Sequence, residues 1–162
     1  MTPTAFRTVM RALPSGVCVV TAFGPDGPTG MTASSVTSLS LDPLLVVVGI
    51  ASSSRTLAAA RAVGRFGVNV LGAEQAPLAL RFAARSSGEE KYDGVPHRLE
   101  AAAPVIDGAP AWLVCDLRAA HPEGDHALVV GRVVTMAADA APRAPLVAHA
   151  GRLTTVAELA AA

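Results

Sequence analysis

Gly30-Met31-Thr32-Ala33-Ser34-Ser35-Val36-Thr37-Ser38-Leu39-Ser40-Leu41-Asp42-Pro43 decides how the rest of the chain is read. Between Gly30 and Ser40 six of eleven residues carry a hydroxyl, and no charge occurs before Asp42. A strand that only builds core alternates bulky apolar residues with polar ones. This stretch puts small hydroxyls where bulk is expected. Small side chains let a ligand approach the backbone, and hydroxyls donate or accept hydrogen bonds. A Ser/Thr-rich edge strand would read the same way.

Upstream, Gly24-Pro25-Asp26-Gly27-Pro28 is a turn signal, with φ fixed at the prolines and permissive at the glycines. The apolar run Val17 to Phe23 before it therefore pairs with the opening stretch as a hairpin. Farther upstream, Phe6, Val9, Met10 and Leu13 make one apolar stripe at helical spacing, so Pro3 to Leu13 reads as a helix. Thr2 can cap it, with Pro3 in the first helical position.

Downstream, Leu44 to Ile50 is apolar on both faces and reads as a central strand. Ala51-Ser52-Ser53-Ser54-Arg55-Thr56 leads into an Ala- and Arg-rich helix, Leu57 to Val63, stopped by Gly64. A Ser/Thr cluster at a helix start either caps the helix or joins free N–H groups in binding an anion. Arg55 would add a charge-assisted contact in the second case. Phe66 to Leu71 is a strand and Ala76 to Arg85 a short helix. Ser86 to Gly94 is polar, holds the single Lys and the single Tyr, and reads as an exposed, lid-like loop. Pro104 to Pro110 reads as turn. Ala111 to Ala119 alternates, with Leu113, Cys115 and Leu117 on one face, and so predicts a strand buried on one side. His121 to His126 is a tight polar connection into a strand at Ala127 to Met136. Leu146 to His149 is a last short strand, and Gly151 to Leu159 a tail.

These assignments give six or seven strands and two or three helices, joined mostly by turns. That predicts a mainly β, antiparallel sheet or barrel with a few short helices. A chain of 162 residues with 51% hydrophobic and 16% charged residues folds as one domain, 1–162. Zero net charge argues against a nucleic-acid partner. No apolar run is long enough to span a membrane. Cys18 and Cys115 lie apart in apolar runs, as free thiols do in a reducing cytoplasm, and no metal-ligand spacing occurs.

The segments Gly16 to Thr21, Gly30 to Pro43, Phe66 to Leu71, Phe82-Ala83 and Gly124-Asp125-His126 occur in the same order in the flavin reductase-like proteins, and the chain resembles that family over about residues 6–151. The family comprises reductase components of two-component flavin-dependent monooxygenases. The resemblance implies a split β-barrel of the FMN-binding type and a homodimer. It implies an NAD(P)H:flavin oxidoreductase that passes hydride from NADH or NADPH to FMN or FAD and hands reduced flavin to a partner monooxygenase. The absence of any GxGxxG after a strand agrees with a non-Rossmann site. An FMN-binding electron carrier or storage protein is the alternative.

Carried over residue by residue, Met31, Thr32, Ala33, Ser34 and Ser35 would line the isoalloxazine and ribityl chain. Ala51, Ser52, Ser54 and Thr56 would hold ribityl and phosphate, with backbone contacts from Phe82-Ala83. Lys91 stands where relatives commonly carry the Arg of Asp-Arg-Phe. His126 would be the catalytic residue beside flavin and nicotinamide, with Asp125 fixing its tautomer. His149 and Gly151 would belong to the nicotinamide site. Pro145 to Leu153 departs from the family's Pro-Leu-Leu-Tyr-His-Arg-Gly-Gly-Tyr, because both tyrosines are missing. No evident cluster of arginines is placed to read a 2′-phosphate, which favours NADH.

Overall fold

The hairpin around Gly24 to Gly27 forms as its composition dictates, and the sheet grows from it. The computed structural model describes residues 1–141 and 143–156. In chain order the elements are helix α1 (Pro3–Met10), strands β1 (Ser15–Gly16), β2 (Cys18–Gly24), β3 (Gly27–Ala33), β4 (Thr37–Leu41) and β5 (Leu44–Ala51), helix α2 (Arg55–Val63) and strand β6 (Arg65–Val70). Helices α3 (Ala76–Ala83) and α4 (Gly88–Tyr92) follow, then strands β7 (His97–Glu100), β8 (Ala103–Ile106), β9 (Ala111–Glu123), β10 (His126–Ala138), β11 (Leu146–His149) and β12 (Arg152–Thr155).

Seven strands form one antiparallel sheet in the order β3-β2-β6-β9-β10-β5-β4, rolled into a split barrel. The fold is the mainly β, antiparallel class expected. Strand β2 shows why the barrel is stable. Its Cys18, Val20 and Ala22 join the barrel interior with Val48, Ile50, Phe66 and Val129. Val17 and Val19 turn the other way, into a second core with Leu71, Phe82, Tyr92, Ile106 and Leu146 beneath α3 and α4. Both cysteines are buried and free, and burial raises their pKa to about 11 for Cys18 and about 12 for Cys115.

The opening stretch is not one strand. It breaks after Ala33 and resumes as β4. The Ser35 hydroxyl bridges the break, donating to the Gly49 carbonyl at 3.0 Å and accepting from the Gly49 N–H at 3.1 Å. It stands in for the missing strand neighbour of β5.

Five expectations are corrected. Segment 86–94 is no exposed lid: it folds into α4, and Lys91 and Tyr92 are buried. Segment 97–106 forms the β7–β8 hairpin rather than ending in a turn region that begins at Pro104. Side chains tie it to the main sheet. The Thr21 hydroxyl donates to the Pro104 carbonyl at 2.6 Å, and the Asn69 amide oxygen accepts from the Ile106 N–H at 2.8 Å. The hairpin turns on Ala101 and Ala102, both at positive φ (42° and 65°). Strand β9 is buried on both faces, because it is central and Val114 packs with Ala103 and Val105 while Cys115 faces the barrel. Helix α1 ends at Met10 rather than Leu13, and Phe6, Val9, Met10 and Leu13 are all exposed. The expected tail is in part strand β12, paired with β11; its residues from 157 on lie outside the described ones.

Gly131 marks the tightest contact in the barrel. A Cβ there would lie 2.4 Å from the tip of the Phe66 ring and 2.7 Å from the Cys115 Cβ. Both neighbours are fully buried. Gly131→Ala is expected to lower stability by about 1–3 kcal/mol through overpacking. A denaturant melt checks this, and an unmoved midpoint would show that the core yields at this point.

Candidate functional site

The polar half of the site is built at the start of α2. Ser54 occupies the N-cap position with extended backbone, yet its hydroxyl does not cap the helix. It donates instead to the Met31 sulfur at 3.2 Å. The capping explanation of the Ser/Thr cluster therefore fails at Ser54, and the first-turn amides lack a side-chain acceptor. Thr56 is buried, its hydroxyl 3.1 Å from that of Thr29.

Lys91 reaches the same place from α4. That helix exists because Ser87 and Glu90 cap each other: the Glu90 N–H donates to the Ser87 hydroxyl (3.1 Å) and the Ser87 N–H to the Glu90 carboxylate (2.8 Å). These two bonds hold the Glu90 carboxyl below its usual range. Phe82 and Tyr92 then lock the helix down with an edge-to-face contact at 5.1 Å. Lys91 is 8% exposed, and its ammonium donates to the carbonyls of Gly30 (3.1 Å) and Phe82 (3.0 Å). An ammonium has three donors, so one remains. Among the described residues Lys91 meets no carboxylate. Burial pushes its pKa down, and the Arg55 charge adds to that.

Met31, Ser54, Thr56 and Lys91 share a polar cavity of about 430 Å³, to which Arg55 and Arg85 also contribute. Arg55 donates to the Ser86 carbonyl. A buried cation without an anion is costly. Cationic groups around open helix amides form a place that a phosphate monoester completes. The donor set thus fits the phosphate end of a flavin mononucleotide unit.

The apolar half is a groove of about 810 Å³ between α1, α3 and the β11–β12 hairpin. Thr32, Ser34, Ala83, His149 and Gly151 all line it. Thr32 donates to the Ala79 carbonyl at 2.5 Å, which ties β3 to α3. The two cavities adjoin at the end of α3, where Ala83 lines the groove and Ala84 the polar cavity.

A third cluster forms where β5 meets β10. Ala51 pairs with His126, and the Ser52 N–H donates to the Asp125 carbonyl at 3.0 Å. The Asp125 carboxylate accepts from His126 Nδ1 at 2.7 Å. This bond holds the Asp125 carboxyl below its usual range, with Arg7 adding at longer reach. With Nδ1 as donor, the neutral ring keeps an acceptor at Nε2. Asp125 and His126 line neither cavity of the single chain, and His149 does not meet them there.

Two expected site residues point elsewhere: Ala33 is buried in the barrel core, and the Ser35 hydroxyl is engaged with Gly49. Phe82, expected to give backbone contacts only, buries its ring in the second core. Sequence reading passed over Arg85 in the polar cavity and Arg7, Arg11 and Arg152 in the groove. Arg11, the C-cap of α1, follows Arg7 by four residues and keeps helical backbone, so both fall on one side of the helix.

An antiparallel split barrel with a cationic polar cavity beside an apolar groove suits a flavin-handling oxidoreductase. A family model described as "Flavin reductase like domain" matches residues 10–157. The chain is 36% identical over 150 residues to an NADH:FMN oxidoreductase of Rhodococcus qingshengii, covering 91% of this chain and 78% of that one. It superposes on nitrilotriacetate monooxygenase component B from Mycobacterium thermoresistibile with a TM-score of 0.90 at 31% identity, covering 98% and 90% of the two chains. The NADH:FAD oxidoreductase SgcE6 of Streptomyces globisporus, in complex with NAD and FAD fragments, superposes with a TM-score of 0.87 at 35% identity over 95% and 92%. The chain belongs to the flavin reductase-like family.

Proposed function

We infer that this chain is an NAD(P)H-dependent flavin reductase that supplies reduced flavin to a partner monooxygenase. The observation that carries the reading is Lys91, a buried cation aimed with the open end of α2 into a polar cavity beside an apolar groove. When bound, a flavin supplies the acceptor for the hydride of a reduced nicotinamide. Lys91, Arg55 and the first amides of α2 hold its phosphate. Met31, Ser34 and Ala83 offer a small, uncharged surface for flat ring contact. His126, held by Asp125, presents Nε2 to orient the nicotinamide carboxamide. An oxidoreductase and a monooxygenase component among the relatives support an enzyme over a carrier or storage module.

The test is loss of reduced-nicotinamide absorbance with purified protein and added FMN, then FAD. Steady turnover with either supports the reading. Tight flavin without turnover would replace it with the carrier.

We also propose that two copies associate. Helix α1 buries none of its residues, and a helix of eight residues does not hold its shape alone in water. A second copy over the Phe6, Val9 and Leu13 stripe supplies the missing packing. Sedimentation should give a dimer, and Phe6→Glu/Val9→Glu should shift it to monomer. No helix among the described residues is long and apolar enough to cross a membrane. Two buried free thiols suit a reducing cytoplasm.

A further inference from the structure

Three arginines, Arg7, Arg11 and Arg152, line the apolar groove that Ser34 also lines. They come from opposite ends of the chain. The ion pairs among the described residues use Arg65, Arg98, Arg132 and Arg143, and none of the three. Asp125 is near enough to Arg7 for its carboxyl to feel the charge, without an ion-pair contact.

Arg11 is fixed from two directions. Its carbonyl accepts from the Ala150 N–H at 2.8 Å. Its side chain lies over Gly151, where a Cβ would stand 3.5 Å from Nε. Ala150 and Gly151 both take positive φ (52° and 75°), so the β11–β12 turn curls onto α1 and carries Arg152 to the groove. Like charges along one groove repel. A built turn that holds them at the wall of a ligand-sized cavity is explained by an anion with more than one charge.

We propose that Arg7, Arg11 and Arg152 form the subsite for the pyrophosphate of the nicotinamide dinucleotide. The proposal rests on the reductase reading, with His149 and Gly151 of this groove in the nicotinamide dinucleotide site. It also gives the departed segment a role. Arg152 lies where the family pattern has Gly, beside Leu153, which stands in place of a Tyr.

The test compares two hydride donors with wild type, Arg7→Gln, Arg152→Gln and the double variant. NADH carries the pyrophosphate; N-benzyl-1,4-dihydronicotinamide has the same reacting ring and no phosphate. Each single change should raise the NADH KM about tenfold at little changed kcat, and the double variant more, by loss of charge-assisted contacts. The KM for the phosphate-free donor and for flavin should stay put. Calorimetric titration with ADP-ribose reads the subsite without turnover, and binding should weaken in the same order. An unmoved NADH KM in the double variant, an equal loss with both donors, or no ADP-ribose binding by wild type would overturn the proposal. Wild-type protein that binds ADP-ribose but oxidises neither donor would sink the reductase reading and keep the anion subsite.

Discussion

Lys91→Met will weaken FMN binding by about 10–150-fold, the equivalent of one hydrogen bond to a charged group. The same change should move the melting temperature by only a few degrees, because two opposing effects meet at this site. Methionine removes a desolvated charge from the interior, which favours the fold. It also leaves the Gly30 and Phe82 carbonyls without the Lys91 donor, which disfavours it. Flavin titration by fluorescence beside a thermal melt checks both halves. Equal losses in affinity and stability would make Lys91 a structural residue. The sign of the pH dependence follows from the same group. Its folded pKa is lowered from 10.5, by burial first and Arg55 second. Between that lowered value and 10.5 the unfolded chain binds more protons, so the flavin-free protein gains stability as pH rises. Phosphate binding favours the charged ammonium, so FMN affinity should fall across the same alkaline window. Lys91→Met should abolish that fall.

His126→Ala should lower kcat/KM for NADH by about 10–100-fold, the range for one oriented hydrogen bond in a bound reactant. Flavin KM should change little, because His126 does not line the polar cavity. Asp125→Asn should act in the same direction and more weakly. An amide can donate to Nδ1 and so allow the other ring tautomer, which turns Nε2 from acceptor to donor. Initial rates against NADH for both variants decide it. Unchanged rates in His126→Ala would return this histidine to an exposed turn residue bonded to its neighbour. Because Asp125 and His126 stand apart from the groove in one chain, the dimeric state of each variant should be measured in the same series.

The parts of the fold that were legible are those in which local chemistry and tertiary role agree. Gly24 to Pro28 dictates a turn and forms one; Leu44 to Ile50 dictates a buried strand and is one. The polar cavity was legible at Ser54 and Thr56 for the same reason, since hydroxyls at a helix start have few roles. Segment 86–94 misled because its charge composition looks solvated, while the Ser87–Glu90 reciprocal cap makes it a helix that drives Lys91 inward. The β7–β8 hairpin was hidden because two alanines make its turn, and alanine is no turn signal. The arginine trio could not be read at all, because residues 7, 11 and 152 meet only when β11–β12 folds back onto α1.

That alanine turn has a practical side. Holding Ala101 and Ala102 in left-handed backbone costs about 1–2 kcal/mol each relative to residues suited to it. Asn-Gly, the pair that two-residue hairpins favour, fits the same geometry without that cost. The strain is therefore unused thermal headroom, remote from both cavities. An engineer who rebuilds the groove for another hydride donor could draw on it first, raising tolerance to the changes that follow.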